Sequence, residues 1–185
     1  MLVGPRATVE RFAHEARRLL PRTAILRASQ PVYAVDRAAL RGSHASAEVR
    51  RASVADVPQL ALASAQMIAS EIGSAPDPRG AEFLARTTRI AEAGWWWRGY
   101  ADGACVFQCN VGSATAATAQ IQGVWTPPAF RGRGHAARAL GAIAERLLSE
   151  FPTLCLYVND FNAPAIALYE RVGFTRAGEY RTLLF

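Results

Sequence analysis

Lysine is absent from this chain: all 21 Lys-plus-Arg positions are arginine, which reads as the coding bias of a GC-rich genome before it reads as a special arginine surface. Cysteine is scarce and odd in number, and Cys105, Cys109 and Cys155 include no Cys-x-x-Cys pair. That argues against a disulfide framework. The few histidines, His14, His44 and His135, do not stand at metal-ligand spacing from the cysteines, so no metal is expected. No apolar run reaches membrane-spanning length, and Leu19-Leu20 follows a charged segment instead of forming a signal-peptide core. The expectation is a soluble, cytoplasmic protein with small buried thiols and no membrane partner.

What is present is a chain of 185 residues, 51% hydrophobic, with a net charge of +6. The length suits one well-buried domain with an appendage. A basic surface favours an anionic partner, CoA-like, nucleotide or nucleic acid, without choosing among them.

The pattern predicts an amphipathic helix over 8–20, short strands over 23–26 and 32–35, and a small polar linker over 41–46. Residues 1–45 therefore read as a helix-strand appendage, the remnant of a larger N-terminal region, and 46–185 as the main domain. In that domain a strand over 48–52 precedes a long helix over 54–72, opened by Ser53 with Asp56 in its first turn and closed by Gly73. A helix over 79–93 ends at Gly94. Strands over 95–100 and 104–111 flank Asp102-Gly103, a hairpin turn, and a further strand runs over 118–126. A helix over 134–150 and a strand over 154–159 form a crossover. The last helix has Asn162 at its cap and Gly173 at its end, and one or two strands fill 174–185. The fold class is α/β, with a mixed sheet flanked by helices.

The segment Val124-Trp125-Thr126-Pro127-Pro128-Ala129-Phe130-Arg131-Gly132-Arg133-Gly134-His135-Ala136 ends a strand, turns on glycines and opens a helix. The first amides of a helix lack intrahelical acceptors, and its dipole is positive at that end, so phosphate oxygens are favoured there. Gly132 and Gly134 remove side chains that would block close approach. Main-chain donors from Gly132 through His135, Ala136 and Ala137 thus form a pyrophosphate cradle. Arg131 and Arg133 add charge to it.

Arg131-x-x-Gly134-x-Ala136, with Val124-Trp125-Thr126 and Pro128 before it and Asn162-x-x-Ala165-x-x-Leu168-Tyr169-x-x-x-Gly173-Phe174 after it, resembles the acetyl-CoA signature of the GNAT N-acetyltransferase family. The resemblance covers 48–185. Further stretches, among them Gln30-Pro31-Val32-Tyr33 and Leu156-Tyr157-Val158-Asn159, resemble actinobacterial GNAT proteins with an extra N-terminal domain.

This resemblance implies a sheet splayed between the strands at 118–126 and 154–159, with acetyl-CoA as cosubstrate and its thioester in the opening. Val124, Trp125 and Thr126 would meet the pantetheine arm, Asn162 the cofactor near the thioester, and Tyr169 would act as general acid. Packing alone would also put Tyr169 on a buried helix face, and Asn162 also reads as an N-cap. The implied reaction moves an acetyl group to a primary amine.

An amine arriving as ammonium must lose a proton, yet the two splayed strands offer Gln120, Gln122 and Tyr157 rather than a carboxylate. A water relay, Glu71 or Asp160 would then serve. Trp95-Trp96-Trp97 and Trp125 read as core packing or an interface before they read as an aromatic substrate wall, so a homodimer is among the expected partners. The rival readings are a non-catalytic acyl-CoA-binding regulatory module, which the missing strand carboxylate favours, and a nucleic-acid binder, which only the positive charge favours.

Overall fold

The computed structural model describes residues 1–22, 25–42 and 47–185. Thr23 and Ala24, where the first short strand was expected to begin, and Ser43 to Ser46 of the expected linker lie outside the described residues.

The elements in chain order are β1 (Leu2–Pro5), α1 (Arg6–Glu15), β2 (Ile25–Asp36), β3 (Glu48–Arg51), α2 (Val57–Ile72), α3 (Ala81–Glu92), β4 (Trp96–Ala101), β5 (Ala104–Ala114), β6 (Thr118–Trp125), α4 (His135–Leu147), β7 (Thr153–Tyr157), α5 (Ala163–Val172) and β8 (Thr175–Leu184). They build one eight-stranded sheet ordered β1-β8-β2-β7-β6-β5-β4-β3. Among the described residues β6 and β7 pair in parallel, and the other neighbours are antiparallel.

The helix expected over 8–20 is shorter: α1 ends at Glu15, and only Val9 is buried on it. Phe12 and Leu19 stand exposed, so the apolar spacing there finds no surface to cover. The two short strands expected in this region are one long strand, β2, whose pairing with β8 shifts register between Arg27 and Gln30 and again between Val32 and Tyr33. Pro31 has no N–H to give to a ladder, and these irregularities let an interior strand accommodate it.

The long helix begins as a 3-10 turn at Val54–Asp56, with Ser53 and Asp56 forming a reciprocal capping box. Asp56 then binds backward into the sheet. Its Oδ2 accepts Arg50 Nη1 at 2.8 Å, its Oδ1 accepts Arg50 Nη2 at 2.8 Å, and Arg98 Nη1 of β4 also donates to Oδ1. Asp56 and Arg98 are both buried, so the first turn of α2 is held to β3 and β4 by charge as well as packing.

Alternation along β4 assigns the two faces. Trp96 packs with Val57 and Leu60 of α2 and Ala91 of α3, whereas Trp97 joins the main core with Leu140 and Ile143 of α4. Both tryptophans are buried, as core packing requires. A Cβ on Gly99 would stand 2.7 Å from Ala139 Cβ, so the lack of a side chain there lets α4 lie close on the sheet. Asp102 and Gly103 both take positive φ at the β4–β5 turn, 50° and 74°, as the Asp-Gly pair predicts. Gly173 ends α5 at φ 112°, and a Cβ there would lie 2.2 Å from the carbonyl oxygen of Ala39, in the segment that follows β2.

Candidate functional site

β6 and β7 pair only at Thr118 with Thr153, Ala119 with Leu154, and Gln120 with Cys155. Beyond Gln120 they separate, and the opening holds a cleft of about 220 Å³. One cause is visible. On the β5 side, Gln108 pairs with Trp125 but Asn110 pairs with Gln122, so β6 carries a bulge around Gly123 and Val124. Gly123 adopts φ 65°, and a Cβ on it would lie 2.6 Å from Asn110 Oδ1; a side chain would be strained and crowded there. On the other flank, β2 pairs with β7 from Asp36 and Thr153 through Val32 and Tyr157, so β7 keeps a partner on that side where β6 leaves it.

Ile121, Gln122, Gly123 and Val124 line one wall of the cleft, and Leu156, Tyr157, Val158 and Asn159 line the other. The two faces of the sheet supply the rest. From α5 come Ala165 and Tyr169, with Asn162 at its cap, and from α2 come Met67 and Glu71. The expected residues Val124, Asn162, Tyr169 and Glu71 are therefore brought together, whereas Gln120 and Asp160 do not border the cleft. Asp160 is exposed.

Tyr169 is buried against Tyr33 and Phe174, with ring centroids 6.3 Å and 6.1 Å away. Burial, with smaller contributions from Cys109 and Glu71, holds its phenol well above the ordinary value, so it carries its proton at neutral pH. It is at once a core aromatic and a cleft residue. Asn162 Oδ1 accepts the amide of Ala165 at 3.3 Å, which makes it the N-cap of α5 and leaves its Nδ2 as the donor. Glu71, in the last turn of α2, faces Arg27 Nη2 at 3.5 Å.

Sequence reasoning missed the contribution of β2. Arg27 and Gln30 both reach the cleft from this N-terminal strand. Gln30 Nε2 donates to Asn159 Oδ1 at 3.0 Å, and Thr182 Oγ1 donates to Gln30 Oε1. With its oxygen engaged, Asn159 has its Nδ2 as the side-chain donor it brings to the cleft wall. The available signal was a polar Ser29-Gln30 step before a proline inside an otherwise apolar strand.

Beside the cleft, β6 passes into the helix-opening loop. Pro127 and Pro128 end the strand, Pro128–Phe130 form a 3-10 turn, and Gly132 and Gly134 take φ 74° and 76° before α4 begins at His135. A left-handed glycine followed by helical residues turns successive amides toward one side, a concavity suited to anions. Nothing stands within 4 Å of a Cβ position on Gly132, so the loop is open to a large ligand. The amides of His135, Ala136 and Ala137 are the unsatisfied donors of the first helical turn.

Arg131 does not extend outward. Its guanidinium lies 4.5 Å from the Trp125 ring, and its Nε donates to the Thr126 carbonyl at 2.9 Å, so it braces the loop against the end of β6. Arg138 Nη2 lies 3.0 Å from His135 Nδ1. A hollow of about 260 Å³ between Glu48, Tyr100, Asp102, His135 and Arg138 shares no residue with the cleft.

Among the described residues no group of three or more His, Cys, Asp or Glu could hold a metal ion, and no helix is long and apolar enough to cross a membrane.

The chain matches the acetyltransferase (GNAT) family over residues 66–174. Comparison with curated proteins finds no match. Solved structures share the fold. An acetyltransferase of the GNAT family from Colwellia psychrerythraea superposes with a TM-score of 0.65 at 14% identity, covering 88% of this chain and 58% of that one. A GCN5-related N-acetyltransferase from Kribbella flavida gives 0.58 at 18% identity, covering 86% and 58%. This chain thus spans less than two thirds of the length of either. A predicted acetyltransferase from Clostridium acetobutylicum, solved with acetyl-CoA, gives 0.52 at 16% identity, covering 71% and 91%.

Proposed function

As the chain belongs to the acetyltransferase (GNAT) family, we propose that it transfers the acetyl group of acetyl-CoA directly to a primary amine while both substrates occupy the cleft. The observation that carries this reading is the continuity of the glycine loop at the start of α4 with the gap between β6 and β7. A diphosphate at the loop and an acyl group in the gap are served by one stretch of chain, from Val124 to Ala137.

Each part then has a task. The amides of Gly132 to Ala137 hold the diphosphate, with Arg133 adding charge and Arg131 fixing the loop. Val124, Trp125 and Thr126 present main-chain groups to the pantetheine arm, and Asn162 Nδ2 adds a donor. Acetyl-CoA supplies an activated acyl group, a thioester whose carbonyl carbon takes the nucleophile. Glu71 accepts a proton from the incoming ammonium. The freed amine forms the C–N bond, and a main-chain N–H of the β6 bulge faces the developing oxyanion, a contribution of about 3 kcal/mol in acyl-transfer sites of this kind. On collapse the C–S bond breaks and Tyr169 protonates the leaving sulfur. The phenolate recovers its proton from the amide nitrogen. Holding both reactants in one cleft contributes through orientation.

Residues 46–185 are read as the acetyltransferase unit and residues 1–45 as an appendage, whose β2 reaches the cleft through Arg27 and Gln30. A second reading, an acyl-CoA-binding module without turnover, is favoured by the walls of the gap, where β6 and β7 contribute no carboxylate. Free-thiol release from acetyl-CoA across an amine panel decides between them. Release that depends on the amine and falls in Tyr169→Phe supports catalysis; acetyl-CoA binding without release supports the module.

A further inference from the structure

The proposed reaction leaves the acceptor undefined beyond its amine. We infer that the acceptor is a small zwitterion, an amine that also carries a carboxylate a few atoms away, with Glu71 receiving the ammonium and Arg27 the carboxylate. This inference rests on the acetyltransfer reading.

Among the described residues that border the cleft, Arg27 and Glu71 are the only two with a formal charge, and the rest are apolar or neutral polar groups. The chain as a whole carries +6, so a locally balanced cleft with one charge of each sign is a departure from its surroundings.

Arg27 and Glu71 lie 3.5 Å apart, with side chains 21% and 40% exposed. An ion pair this exposed is weak and opens readily to a competing ligand. They come from separate parts of the chain, Arg27 from β2 and Glu71 from the last turn of α2. The register shift in β2 begins at Arg27, and Gln30 beyond it is locked to Asn159 and Thr182, so the strand is anchored beside the charged position.

Ligand chemistry follows from this pairing. A simple amine would satisfy Glu71 and leave its own ammonium near the Arg27 guanidinium, a like-charge contact that disfavours it. A polyamine or a lysine side chain has the same difficulty. An amine with a nearby carboxylate replaces both halves of the ion pair, and the planar guanidinium suits a two-point carboxylate contact. A volume of about 220 Å³, shared with the acyl end of the donor, leaves room for only a small acceptor group inside the cleft.

The test compares kcat/KM, by free-thiol release from acetyl-CoA, for neutral L-amino acids and for the amines left when their carboxylate is removed. We expect the wild-type chain to favour the amino acids at least tenfold. Arg27→Gln is expected to shrink that ratio at least tenfold, and Arg27→Lys, which keeps the charge, to shrink it less. A wild-type preference for the decarboxylated amines, or a ratio unmoved by Arg27→Gln, overturns the inference and leaves acetyltransfer standing. If Arg27→Gln does not fold, the wild-type ratio and Arg27→Lys still decide. Acetyl-CoA binding with no thiol release on any amine overturns the acetyltransfer reading, and this inference with it.

Discussion

Gln30 of the N-terminal strand β2 donates its side-chain amide to Asn159 Oδ1 at 3.0 Å, and both residues are buried. The bond ties a strand from the start of the chain to the wall of the cleft.

Replacing Gln30 by leucine removes the donor to Asn159 and the acceptor for Thr182 at one stroke. Each buried group left unsatisfied costs about 1–3 kcal/mol, so we expect a clear fall in thermal midpoint. Asn159 also loses the partner that orients its Nδ2, and kcat/KM for acetyl-CoA should fall roughly tenfold, which is about 1.4 kcal/mol of transition-state stabilisation. Thermal unfolding and steady-state kinetics on the same variant check both effects.

Tyr169→Phe keeps the ring that packs on Tyr33 and Phe174 and removes only the hydroxyl. A general-acid role predicts a loss in kcat of about 10²-fold or more with little change in acetyl-CoA affinity. Burial raises the pKa of this phenol. The group that must donate is therefore protonated across the neutral range, and in the wild type its ionisation brings no fall in kcat until the pH passes the ordinary phenol value of about 10. A descending limb between pH 7 and 9 that disappears in the variant would contradict the assignment.

Asp56→Asn removes the charge that holds Arg50 and the buried Arg98. Breaking one side of a buried pair leaves an uncompensated charge, and we expect a loss of about 3 kcal/mol. The hydrogen bonds from Arg50, followed by the Ser53 amide and Arg98, hold the Asp56 carboxyl well below its ordinary value against the opposing effect of burial. A depressed carboxyl contributes its full stabilisation above the unfolded value of about 3.9 and loses it as the pH falls toward the folded one. Denaturant titrations should therefore show the wild-type advantage over Asp56→Asn intact at pH 5 to 7 and shrinking below pH 4.

Local signals in the sequence carried much of the geometry of the candidate site. Gly132, Gly134, the Asp102-Gly103 turn and the terminating glycines 73, 94 and 173 each take a positive φ that few residues adopt, Asn162 caps α5 through its side chain, and all stand where expected. The strand-helix-strand crossover and the face alternation of Trp96 and Trp97 follow from periodicity. Long-range pairing was not legible. Nothing in residues 25–36 says that they will enter the sheet between β7 and β8, because register with distant strands leaves no local mark and Pro31 interrupts the apparent strand. Arg27 and Gln30 were lost with that strand. The bulge of β6 had a signal in Gly123, an isolated glycine in a strand pattern, but its meaning depends on Asn110 lying opposite.

The central claim is that main-chain donors at the start of α4, with the gap beside them, bind acetyl-CoA. Titration calorimetry on the full chain tests it most directly, with acetyl-CoA and CoA as titrants and Arg133→Ala as the comparison. We expect saturable one-to-one binding with a dissociation constant on the order of 1 μM to 1 mM, the usual span for enzyme substrates, and a loss of no more than a few-fold in Arg133→Ala, because backbone amides do most of the holding. No heat with either titrant on folded protein, or abolition of binding by Arg133→Ala alone, would contradict the account.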